Sequence, residues 1–274
     1  MSAQEALATI DFATIKGKQR TTWASGDYAV VASTIQYMSE LLCESIDLHA
    51  GDRVLDVATG SGNAAIAAAR RGALVTGIDF TPVLLEQATR RAEVERVRID
   101  LMEGDAEALP FPDDAFDTVI SVVGVMFAPN QRQAAAELIR VCRPGGLVAV
   151  ASWTPDGFVG ALLRLVGSFV APPAGLTSPT RWGTREGISE LMGDQVDISW
   201  VDRTHLFKFR SAQELAEFFI AYYGPTERAY ASLEESGRRQ FMDAFVALAE
   251  QWNIASDGTL VVPGAYLEVH ARVS

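Results

Sequence analysis

The chain has 274 residues, 49% of them apolar, enough for one large α/β domain or a core with a smaller cap, so disorder is excluded as its main state. A formal net charge of −12 opposes a polyphosphate backbone, so DNA and RNA are not expected partners. The longest apolar runs, 119–129 and 160–176, are interrupted before the roughly 18–20 residues that span a bilayer. Glu5, Asp11 and Thr14 stand where a signal peptide needs a basic start and an apolar block, and a cytoplasmic protein with no membrane partner is expected.

In chain order, the first 50 residues precede the first core strand and are read as a helical lid segment, with a helix predicted over 28–45. Lys16, Lys18 and Arg20 form a solvated face or part of that lid. Trp23 and Tyr28 are weaker candidates for an aromatic cover over a ligand, with core packing as the alternative. From Asp52 onward, β-branched runs at 53–57, 73–78, 99–103, 118–123 and 147–153 alternate with helical patterns at 63–71, 82–96 and 130–142. That alternation predicts a parallel sheet with helical crossovers. Thr81 caps the second helix with Pro82 at its first position, and Arg143-Pro144-Gly145-Gly146 ends the third and turns the chain into the next strand.

After Trp153 the pattern changes. Phe158, Leu162, Leu165 and Phe169 recur at helical spacing before a Pro-rich loop over 171–179, which reads as a cap or insertion. Strand character returns over 196–209 and 259–273, with helices predicted over 211–223 and 226–253, so the sheet is expected to end in an antiparallel pair. Cys43 and Cys142 fall in predicted helix interiors without CxxC spacing and are read as small buried hydrophobes. His49, His205 and His270 are widely spaced, so no metal site is expected; His49 is read as a surface residue, and His205 and His270 fall in the late strands, where ordinary polar positions are favoured over facing a substrate.

The densest chemistry lies at Asp56-Val57-Ala58-Thr59-Gly60-Ser61-Gly62-Asn63, a buried strand entering a Gly-rich turn and a helix N-terminus. Gly60 and Gly62 let backbone approach a ligand where a Cβ would collide. Alone this is ambiguous, because Gly60, Gly62 and Ala65 also satisfy a dinucleotide fingerprint. Charge separates the two readings. A pyrophosphate on helix amides is disfavoured by a carboxylate such as Asp56, whereas a sulfonium and ammonium are attracted by ~4 kcal/mol for charges ~4 Å apart at an effective dielectric of ~20. Asp79 ends the second strand about 20 residues on, the place of an acid accepting ribose hydroxyls. Gly104-Asp105-Ala106-Glu107 puts an acid and backbone amides where an adenine edge lies.

VLDVATGSGN, TGIDFTP, GDAEALPFPDDAFDTVISVVGVMF and the RPGG turn resemble, in order and spacing, the successive motifs of class I S-adenosylmethionine-dependent methyltransferases, especially the quinone-biosynthesis and small-molecule subgroup. The resemblance covers about 54–153. It implies a Rossmann-like, seven-stranded, mostly parallel sheet with an antiparallel last strand, helices on both faces and a small helical cap. It also implies S-adenosyl-L-methionine as cofactor and S-adenosyl-L-homocysteine as product. Carried over by position, Asp56, Ala58, Thr59, Gly60, Ser61 and Gly62 hold the methionine end and Asp79 the ribose. Phe80 then covers the adenine face, Asp105 and Ala106 its edge, and Ser121, Val122 and Val123 flank the cofactor. Ala58 departs from the Gly often found there.

The domains expected are a lid segment at 1–50, a cofactor-binding core at 51–153, a cap at 154–195, and C-terminal strands and helices at 196–274 completing the sheet and acceptor pocket. Ser121-Val122-Val123-Gly124-Val125-Met126 lacks the Asn/Asp-Pro-Pro-Tyr/Phe of enzymes that methylate base or glutamine amides. Together with Phe158, Leu162, Phe169 and Trp182 in the cap, this points to a small apolar or aromatic acceptor. No catalytic unit of nucleophile, base and orienting residue is legible; methyl transfer needs mainly alignment, which supplies ~7–11 kcal/mol. The competing readings are an NAD(P)-dependent oxidoreductase and a non-catalytic cofactor-binding protein of the same fold.

Overall fold

The structure, a computed structural model, describes residues 10–274; Glu5 and the rest of 1–9 lie outside them. Three helices come first, α1 (Phe12–Trp23), α2 (Tyr28–Thr34) and α3 (Gln36–Ser45). The alternating core follows: β1 (Arg53–Val57), α4 (Asn63–Arg70), β2 (Leu74–Asp79), α5 (Pro82–Glu95), β3 (Ile99–Glu103), β4 (Phe116–Val122), α6 (Gln131–Val141) and β5 (Cys142–Trp153). The chain ends with α7 (Phe158–Phe169), α8 (Arg185–Met192), β6 (Val196–Phe209), α9 (Ala212–Tyr222), α10 (Gly224–Ala231), α11 (Glu235–Gln251) and β7 (Leu260–Val273).

Among the described residues these strands form one seven-stranded sheet in the order β3-β2-β1-β4-β5-β7-β6. The pairs through β5 are parallel, and β7 inserts antiparallel to both β5 and β6, as expected. Alternate residues of each strand face opposite layers. Val54, Val75, Ile120 and Ala149 meet α3 and α4 through Leu42, Cys43, Ala64 and Ala68. On the other face, Leu55, Val119, Val148 and Val150 join Leu138 and Ile139 of α6 and Ile188 of α8. The small alanines of α4 let that helix press closely on β1, and both strand faces are buried from Val54 to Val57, which is why Val54 and Leu55 are apolar in succession. From β1 the chain winds outward to β3, then returns to β4 on the other side of β1. The carboxyl ends of β1 and β4 therefore flank the point where the sheet reverses direction, where such sheets open a crevice.

The structure corrects several predicted boundaries. The helix expected over 28–45 breaks at Ile35 (φ −109°, ψ 8°), and the one expected over 226–253 divides between Ala231 and Glu235. Arg143-Pro144-Gly145-Gly146 is an irregularity inside β5, not a turn before it. Phe116 pairs with Cys142 and Thr118 with Leu147, and Gly145, at φ 72°, takes up the surplus. Cys142 accordingly opens a strand instead of lying in a helix, though both cysteines are buried and free, and burial pushes their thiols up to about 12. No helix among the described residues is long and apolar enough to cross a membrane, and no group of His, Cys, Asp or Glu among them could hold a metal ion.

Candidate active site

At the carboxyl ends of β1 and β4, α1 to α3 roof a cleft enclosing about 950 Å³, open solvent at its mouth included. Its floor is the loop from β1 to α4. Ala58, Gly60 and Gly62 all adopt positive φ, at 55°, 55° and 87°. Ala58 therefore tolerates the left-handed conformation that Gly adopts freely. A Cβ on Gly62 would sit 3.0 Å from Ala88 Cβ, so this glycine serves the packing of the loop on α5, behind the cleft wall. Arg91 of α5 holds the loop from outside, its guanidinium donating to Ser61 O and Asn63 Oδ1, both at 2.7 Å.

Two buried carboxyls organise the floor. Asp56, 1% exposed, accepts on Oδ2 from Thr59 Oγ1 (2.6 Å) and Ala65 N (2.8 Å). Burial outweighs these bonds, with the Asp79 charge adding to it, and raises the Asp56 carboxyl to about 7. Asp79 accepts from Gly60 N (2.9 Å) and Thr81 N (2.8 Å), and burial raises its pKa as well. Phe80, Asp105 and Ala106 line one wall, and Val122, Val123 and Gly124 another. Val123 is strained: φ is 54°, rare for a β-branched residue, with its N–H held by Ala151 O at 2.8 Å. Ser121 lies beneath the wall, its hydroxyl donating to Val57 O (2.6 Å) and accepting from Val125 N (2.9 Å), so it braces β4 against β1.

Trp23 and Tyr28 both reach the cleft. Their rings meet edge to face at 5.6 Å, and Trp23 also abuts Phe127 (5.0 Å) and Tyr223 (5.7 Å), closing an aromatic roof. Sequence patterns missed other lining residues, among them Lys16, Gln19, Ile35, Ser39 and Phe127. Lys16 Nζ reaches Asp105 Oδ2 at 2.5 Å and Glu107 Oε2 at 2.9 Å, and Arg20 pairs with Glu103 one turn on. The basic cluster at 16–20, facing GDAE across the mouth, was the available signal. The histidines stay outside the cleft: His49 is exposed, His270 joins a buried ion cluster, and His205 packs edge-on against Phe207, with burial lowering its pKa.

A family model described as a methyltransferase domain matches residues 54–146. An uncharacterised protein of Mycobacterium tuberculosis is 39% identical over 253 residues, covering 90% of this chain and 92% of that one. A demethylmenaquinone methyltransferase of Thermus thermophilus is 40% identical over 124 residues, 44% of this chain and 56% of that protein. The chain belongs to the class I S-adenosylmethionine-dependent methyltransferases. The crystal structure of a putative methyltransferase from Bacillus halodurans shares the fold, with TM-score 0.60, 20% identity, and coverage of 85% of this chain and 97% of that one. The methyltransferase uses S-adenosylmethionine as its cofactor.

The residues of the cleft fit such a group. Two carboxyls held out of water beside a loop of close-approach backbone suit a cationic nucleoside and disfavour a diphosphate. A pH dependence follows. Because the Asp56 value in the unliganded fold lies above its unfolded one, this group's contribution to stability is present below ~3.9 and lost as pH rises through about 7. A cation bound beside Asp56 would need the ionised form, so with this cleft as the cofactor site affinity moves oppositely. Calorimetry at pH 8 and pH 6 is expected to show S-adenosylmethionine binding roughly tenfold more weakly at the lower pH. Asp56→Asn should flatten that profile.

Proposed function

We propose that this methyltransferase transfers the methyl group to a small apolar or aromatic acceptor, and that the cleft beneath α1 to α3 is its cofactor site. The observation carrying the site is that Asp56 and Asp79, both buried, line the same cleft as Gly60 and Ser61. In this reading the loop from Ala58 to Gly62 receives the methionine end, beside Asp56. Asp79 already accepts two backbone N–H bonds and has lone pairs left for the ribose hydroxyls. Phe80 covers the adenine face, and Asp105 with the Ala106 backbone meets its edge. Val122 and Val123 flank the reacting end, and Trp23 and Tyr28 cover it.

The cofactor supplies an electrophilic methyl on sulfur; the protein's part is to exclude water and align an acceptor. The aromatic roof of Trp23, Tyr28, Phe127 and Tyr223 supports an acceptor with a flat or apolar surface. The net charge of −12 further disfavours an anionic one.

Titration with S-adenosylmethionine, S-adenosylhomocysteine and NAD(H) tests the cofactor site. Binding of the first two is expected, and tight NAD(H) binding with neither of them would overturn it. A screen with radiolabelled methyl donor tests the acceptor: phenols, quinols and other apolar rings are expected to accept label. If only highly charged compounds turned over, the acceptor assignment would fall.

A further inference from the structure

Ser39 is a polar residue in an apolar helix face. It lies in α3 among Met38, Leu42 and Cys43, is 0% exposed, and its Oγ has no hydrogen-bond partner among the described residues. A buried hydroxyl without a partner weakens a fold, and a helical serine can usually turn back onto its own backbone. This one instead lines the cleft, together with Ile35, Asp56 and Ala64.

Its position along α4 is bracketed. Four residues after Ser39, Cys43 Sγ lies 3.9 Å from Ala64 O; seven residues before it, Ala32 O accepts from Asn63 Nδ2 at 2.8 Å. Ser39 therefore passes the first turn of α4. That turn begins at Gly62, which makes no side-chain cap, and Asp56 takes only the Ala65 amide, so the Asn63 and Ala64 amides are left for an outside acceptor. Asn63 and Ala64 at that turn also line the cleft. One hydroxyl and a helix N-terminus converge on one spot, and the group they suit is a carboxylate.

We infer that Ser39 is a binding residue that donates its hydroxyl to the carboxylate of the cofactor's amino-acid end, with the first turn of α4 as its partner. The ammonium of the same end then faces Asp56. This rests on the cleft being the cofactor site.

The test is Ser39→Ala, read by calorimetry with two ligands and by melting of the unliganded protein. S-adenosylhomocysteine carries the amino-acid end, and 5′-methylthioadenosine lacks it. Affinity for the first should fall about tenfold, the loss of one hydrogen bond to a charged group, and affinity for the second should stay within about twofold. The unliganded variant should melt about 2–4 °C higher, because an unsatisfied buried hydroxyl has been removed and Ala favours the helix. An unchanged affinity for S-adenosylhomocysteine would overturn the inference, as would an equal loss for both ligands. A fall in melting temperature would also overturn it, because it would mark Ser39 as structural. Asp79→Asn separates the two levels: it should weaken both ligands. If it weakens neither, the cleft assignment itself fails; if it weakens both while Ser39→Ala weakens neither, only the Ser39 role fails.

Discussion

Asp79→Asn is expected to lower affinity for S-adenosylmethionine by about 10- to 100-fold while leaving the fold in place. Its two carboxylate oxygens accept separately, one from Gly60 N and the other from Thr81 N. An amide offers only one acceptor oxygen, so its NH₂ would face one of those donors. The substitution thus strands a buried N–H, which costs the free and the bound protein alike, and removes the charge-assisted bonds proposed for the ribose, ~1.5–3 kcal/mol of binding. At 1.4 kcal/mol per factor of ten, that loss of binding is about one to two decades. Calorimetry measures it directly, and turnover at saturating cofactor should change far less than the KM. An affinity within about fivefold of the parent would remove Asp79 from the site.

Glu268→Ala is expected to be the most destabilising change away from the cleft. The side chain is 0% exposed on β7, yet it carries a carboxylate that accepts from Arg203 Nε (2.7 Å) and Ser45 Oγ (2.7 Å), with His270 Nε2 at 3.0 Å. It therefore ties α3 to both antiparallel strands. Truncation leaves a guanidinium half out of water without its partner, a loss of ~3–5 kcal/mol. For a chain of this size, that lowers the melting temperature by about 10 °C. Burial alone raises a carboxyl, but the bonds from His270, Arg203 and Ser45 outweigh it and hold Glu268 at about 2. This lies below the unfolded value of ~4.3, so the stabilisation is complete above that pH and is lost as pH falls through about 2. Acid titration of melting temperature should show the parent losing this increment and the variant having none to lose. A variant melting within about 3 °C of the parent would mean that the cluster is neutral, as some buried ion pairs are.

The floor of the cleft was legible in the sequence because its constraints are local. A strand, a left-handed turn and a helix start must occur within a few residues at Asp56 to Asn63, and the acid at Asp79 must follow at a fixed crossover length. The roof was harder, because its residues act through tertiary placement. A serine inside an amphipathic helix has no signature that separates Ser39 from a neutral substitution, and Lys16 reads as a surface charge until α1 is laid across Asp105. The break at Ile35 was invisible for a similar reason: Ala32 to Met38 contains neither Gly nor Pro, and the bend follows from packing α2 over the loop and α3 against α4. The RPGG segment misled in the opposite direction. Its turn chemistry was read correctly, but the pairing of Phe116 with Cys142 starts the strand before the glycines, so the turn became a bulge. Val123 shows why cleft geometry exceeds pattern: no propensity would place a β-branched residue at φ 54°.

The cover over the cleft is sewn from opposite ends of the chain. Asp27 N–H bonds to Tyr222 O at 3.1 Å, Gly26 and Tyr223 form a bridge, and the Trp23 ring rests on Tyr223. During synthesis the glycine loop and its aspartates emerge long before α9 exists to anchor α2. A nascent chain therefore has nothing to shut this cover with, and the closed cleft belongs to the finished polypeptide alone.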